Sequence, residues 1–114
     1  MNDSGQDLVL ALRKARNNLI DAVNDMKSSG RFLATAERDY RVALCKEMLK
    51  MRAEDKIAWT ALFDLAVGNK EVADLRFKRD VHNSDYDVSK ECINQLKLEI
   101  RLLEKEIEQE WGKA

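Results

Sequence analysis

At 114 residues the chain has room for one domain, and a charged fraction of 36% against 45% apolar residues excludes a disordered tail. Its 20 Lys or Arg against 21 Asp or Glu exclude the strongly basic character of a dedicated phosphate-backbone binder, and its apolar runs are too short to span a membrane. No proline and only four glycines leave few places to turn, which argues against strand-rich folds and for few, long helices.

From Leu8 the apolar positions recur at Leu12, Ala15, Leu19, Ala22 and Met26 in steps of four and three, a heptad seam. Leu33, Ala36 and Tyr40 stay in phase with it beyond Ser28-Ser29-Gly30, so Gly30 is expected inside the helix at a cost of ~1 kcal/mol relative to Ala. The seam then shifts by one residue to Leu44, Met48 and Met51, a stutter that unwinds a left-handed supercoil locally. A first helix over about residues 4–52, ~70 Å long, follows.

Ile57 to Val67, ended by Gly68, is the densest apolar stretch, with Trp59, Leu62, Phe63 and Leu65. It predicts a short helix over about 57–67 folded across a corner, with Gly68 in the left-handed conformation and Asn69 as the next N-cap. The last helix is expected over about 70–111. Its seam reads Val72, Leu75, Arg79, His82, Tyr86, Ser89, Ile93, Leu96, Ile100, Leu103 and Ile107. The expected fold is therefore all-α, a single domain over residues 1–114. Two long helices form an antiparallel coiled-coil hairpin, with the short helix at its closed end.

Met1-Asn2-Asp3-Ser4 leads directly into charged amphipathic sequence, so no secretory signal is expected and the cytoplasm is the expected compartment. Cys45 and Cys92 are the only cysteines, each within a helical pattern and without a neighbour at metal-ligand spacing. In the expected register they lie ~20 Å apart, beyond disulfide reach. The single histidine, His82, falls on the seam. It could act as a pH switch, but a polar residue fixing helix register is the preferred reading. Asp80 to Asp87 lacks the Gly and the terminal Glu of an EF-hand loop and reads as a solvated helix face. With one histidine and no glycine-rich phosphate loop, neither an enzyme nor a cofactor nor a metal is expected.

Residues 31–56 carry seven positive and five negative charges, and residues 99–114 carry three and five, so the middle is slightly basic and the end slightly acidic. Leu62 to Leu75 resembles a DNA-reading helix-turn-helix in order only, because Ala66 and Gly68 leave almost no turn. Arg76, Lys78 and Arg79 could touch phosphates, so nucleic acid is an allowed but unfavoured partner. The favoured reading places a protein-binding surface at the closed end, on Trp59, Phe63, Arg76, Lys78 and Arg79. A simple turn would join the shafts, whereas this chain inserts a helix with aromatic residues there. Leu98 and Leu102 on the last helix, with Ile20 and Val23 on the first, lie beside the seams. They are the candidate surface for a homodimer.

Over about residues 32–111 the chain resembles a group of small helical proteins of unknown function encoded by phages and prophages of Gram-positive bacteria. The resemblance rests on Tyr40-Arg41-Val42-Ala43-Leu44, Asp64-Leu65-Ala66 with Gly68, and Leu75-Arg76-Phe77-Lys78-Arg79-Asp80. It continues in Leu96-Lys97-Leu98-Glu99-Ile100-Arg101 and Glu110-Trp111. In that group a Pro or Gly often precedes the middle helix; here Asp55-Lys56-Ile57-Ala58 does so without either. The resemblance implies a phage accessory protein of the bacterial host cytoplasm, acting by contact on replication, recombination or host defence, with no catalytic residues to carry over. The leading expectation is a non-enzymatic adaptor or inhibitor bound to an unidentified protein. A nucleic-acid-associated replication or recombination accessory, or a structural oligomerising protein, is the alternative.

Overall fold

The structure, a computed structural model, describes residues 2–112, with side chains from residue 5 onward. Met1, Lys113 and Ala114, the ends of the expected domain, lie outside the described residues. Three helices account for nearly all of the described residues: α1 (Asn2–Glu54), α2 (Trp59–Val67) and α3 (Lys70–Gly112). No strand occurs among the described residues, and no helix is long and apolar enough to cross a membrane.

Burial follows the heptad seams. Every seam residue from Leu8 to Met51 on α1, and from Val72 to Ile107 on α3, is buried or half-buried. Helix α1 runs unbroken through Ser28-Ser29-Gly30, as the phase of the seam requires. Where the stutter falls, both alternatives are half-buried: Ala43 with Leu44, and Glu47 with Met48. A stutter broadens the contact stripe, and here the wider stripe accompanies the arrival of a third helix.

The residues group into two units. One comprises the described part of Met1–Ser28 with Asp87–Ala114. Its core holds Ala15 and Ile93, and a methyl group added at Gly5 would sit 3.7 Å from the Trp111 ring. The other comprises Ser29–Tyr86. Its core is Ala36 and Tyr40 of α1, Leu62 and Ala66 of α2, and Val72 of α3, with Leu62 only 1% exposed. Within this second unit the pairings run antiparallel. Phe32 stacks on His82 with ring centres 5.7 Å apart, Glu37 bonds Arg79 at 3.2 Å, and the Arg79 guanidinium lies over the Tyr40 ring at 4.7 Å.

The corner differs from expectation in two ways. Helix α2 begins at Trp59 rather than residue 57, because Lys56 turns left-handed with φ 54° and the Ile57 N–H doubles back to the Met51 carbonyl at 3.2 Å. Gly68 is right-handed, at φ −81° and ψ −12°, so the left-handed residue stands before α2 rather than after it. Gly68 and Asn69 donate their N–H groups to the Leu65 and Ala66 carbonyls, closing α2 in a tight turn without a positive φ. Asn69 caps α3 as expected, its Oδ1 accepting from the Val72 N–H at 3.2 Å.

Candidate protein-binding site

Spacing on α2 decides which side chains it shows. Leu62 and Ala66, four apart, form its buried stripe. Trp59 and Phe63, also four apart, share one flank of that stripe, and Leu65 lies on the other. All three remain exposed, Trp59 by 70%. The helix therefore does two things. Its inner stripe closes the core of its unit, and its flanks present aromatic and aliphatic surface to solvent.

The cation on Trp59 is Arg52, which sequence reading did not single out. Its guanidinium lies 4.7 Å from the ring centre and donates to the Ile57 carbonyl at 3.0 Å. One side chain thus braces the corner and orients the indole. A groove of about 330 Å³ runs beside it, lined by Leu44, Met48, Cys45 and Leu49 of α1 and by Trp59 and Leu62 of α2. Arg41 and Arg52 complete its lining.

Of the expected basic residues, Arg76 is half-buried and Lys78 exposed. Arg79 is only 23% exposed and is held by Glu37, by Asp80 at 2.9 Å and by the Tyr40 ring. Burial works against its charged form, but the hydrogen bonds to Glu37 and Asp80 outweigh it and raise the pKa. On Glu37 the hydrogen bond from Arg41, at 2.7 Å, lowers the pKa most. Burial opposes it, and the bond from Arg79 adds to it, so the net shift is downward. Arg79 is thus tied into the contact between α1 and α3, with little of it left for a partner.

Phe77 is a further exposed aromatic, 70% accessible, on the same helix as these cations. Its signal was available in its position off the α3 seam. The expected homodimer residues Ile20, Val23, Leu98 and Leu102 are all exposed. His82 is half-buried against Phe32, and its Nδ1 lies 4.0 Å from Asp85. Cys45 and Cys92 are exposed free thiols. Among the described residues no group of three or more His, Cys, Asp or Glu stands where it could hold a metal ion.

Compared with known proteins, the chain matches no family model, no curated protein and no solved structure.

Proposed function

We propose that this chain is a non-enzymatic phage or prophage accessory protein of the bacterial cytoplasm, working as an adaptor or inhibitor through contact with another protein. In this reading α1 and α3 pair along their seams as an antiparallel coiled-coil hairpin, and the corner at α2 is the working end. The observation that carries the reading is the exposure of Trp59 and Phe63, side by side on one flank of a nine-residue helix that buries only Leu62 and Ala66. Large apolar side chains clustered in water mark a surface that another molecule covers, and aromatic residues with arginines are the usual anchors of such contacts. The anchors in this reading are Trp59 and Phe63, with Arg76 and Lys78 of α3 supplying positive charge, while Arg79 ties α3 to Glu37 and Tyr40 of α1.

Site-specific photocrosslinking in producing cells tests this. A photoreactive phenylalanine analogue at Phe63 should give a discrete adduct whose second component is a protein. The same analogue at the exposed Lys97 should give none with a protein other than this chain itself. Against the partner so identified, Trp59→Ala, or Arg76→Glu with Lys78→Glu, should weaken binding at least tenfold, ~1.4 kcal/mol. Adducts with another protein at Lys97 but not at Phe63, or normal binding by both variants, would move the working surface away from α2.

A further inference from the structure

The groove between α1 and α2 has a shape and charge pattern that specify an occupant. Along α1 its lining recurs at residues 41, 44, 45, 48, 49 and 52, so it runs for about three helical turns, ~16 Å. Such ridges at steps of three and four are what a second helix packs into. Leu44, Met48 and Leu62 are buried or half-buried, whereas Leu49 and Trp59 are exposed, so its apolar surface is accessible to an incoming side chain. Among the described residues no carboxylate lines the groove; the charged groups that do are Arg41 and Arg52, the first and last α1 residues along it.

Both arginines already make contacts within the protein. Arg41 donates its Nε to Glu37, and Arg52 donates Nη1 to the Ile57 carbonyl while resting on Trp59. Each guanidinium has five N–H donors, so each retains donors for a carboxylate. We infer that this groove seats an acidic amphipathic helix of a partner protein. Its apolar side chains at i, i+4 and i+7 would enter between Leu49 and Trp59, and its carboxylates about eleven residues apart would pair with Arg41 and Arg52. This rests on the protein-binding reading above and adds the chemistry of the partner.

The test uses the intact protein and four labelled probes. One is a synthetic helix of about 18 residues with Leu, Leu and Phe at the anchor positions and Glu at the flanks. The second carries Lys in place of each Glu. The third is a peptide of this chain's own residues 95–112, an acidic amphipathic segment, and the fourth is single-stranded DNA of about 30 nucleotides. The Glu helix should bind at least tenfold tighter than the Lys helix at low salt, with amide shift changes at residues 41–52 and 59–62, and the preference should shrink as salt rises. Leu49→Glu, at an exposed position, should abolish binding with the helical circular dichroism unchanged. Arg41→Glu, which leaves one positive and one negative charge along the groove, should remove the preference between the two helices.

Equal binding of the Glu and Lys helices, or shift changes elsewhere, overturns the inference. Tighter binding of the 95–112 peptide assigns the groove to a second copy instead, and displacement of the Glu helix by DNA assigns it to nucleic acid. If Phe63 crosslinks to a protein while no peptide binds the groove, the inference falls and the protein-binding reading stands. If the Glu helix binds as expected but Phe63 gives no adduct in cells, it is the functional reading that fails.

Discussion

Replacing Arg79 by Ala should destabilise the unit formed by residues 29–86 by ~2 kcal/mol. The guanidinium stacks on a Tyr40 ring that is only 5% exposed, a setting in which a cation–π contact is worth ~1 kcal/mol. The 3.2 Å ion pair with Glu37, whose side chain is about a third exposed, adds ~0.5 to 1 kcal/mol after allowance for solvent screening. The aliphatic stem contributes the remainder through packing. Urea unfolding followed by circular dichroism reads the loss directly, and a cycle with Glu37→Gln should show a coupling of ~0.5 to 1 kcal/mol. The pH dependence adds a second check. The folded-state pKa of Glu37 lies below its ordinary value, so its stabilisation is present above that ordinary value and disappears as pH falls through the folded one. The bond from Arg41 is the largest cause of that shift, so the acid sensitivity should persist in Arg79→Ala and be lost in Glu37→Gln. A cost under ~0.5 kcal/mol with no coupling would refute the reasoning and return Arg79 to the pool of partner contacts.

Gly30→Ala should stabilise by ~0.5 kcal/mol in the same assay. Removing a mid-helix glycine gains up to ~1 kcal/mol, and the added methyl, 3.3 Å from the half-buried Tyr86 ring, requires that ring to yield slightly. Gly30→Val, with two further carbons, should destabilise. Lys56→Gly should also stabilise, by ~0.5 kcal/mol, because the left-handed backbone at φ 54° strains a lysine more than the freer unfolded glycine costs in entropy; a loss of stability would mean that the lysine side chain supports the corner. Leu98→Glu with Leu102→Glu should leave helix content unchanged and turn a sedimenting dimer into a monomer, and a wild type that is monomeric at high micromolar concentration would remove the homodimer surface.

The α1 and α3 seams were legible because a heptad repeat is a statement about one helix facing one neighbour. Leu12, Ala15 and Leu19, or Ile93, Leu96 and Ile100, need no knowledge of the rest of the chain to be assigned to an interface, and each is buried or half-buried. His82 was legible for the same reason. Its seam position implied a polar residue against the opposite helix, although spacing gave no means of naming Phe32, which lies off the α1 seam, as its neighbour. The corner was less legible. Glycine usually marks the left-handed residue at a helix end, so Gly68 drew that expectation, while Lys56 adopts the conformation at φ 54°. A lysine carries no local signal for it.

Arg52 and the groove show why site residues are harder to read than core residues. The positions Arg41, Cys45, Leu49 and Arg52 are an ordinary exposed face when α1 is considered by itself, and nothing in their spacing separates them from the equally exposed Arg13 or Arg31. They become a lined cleft only because the chain reverses at Lys56 and returns through Trp59 and Leu62. A buried stripe is selected by the average environment of a helix face, which periodicity encodes. A binding cleft is produced by where a second segment happens to pass, which depends on the backbone of a four-residue corner. The aromatic content of α2 was therefore enough to direct attention to this end of its unit, but the cation over Trp59 had to come from Arg52 in the last turn of α1, at a position that only the path of the corner selects.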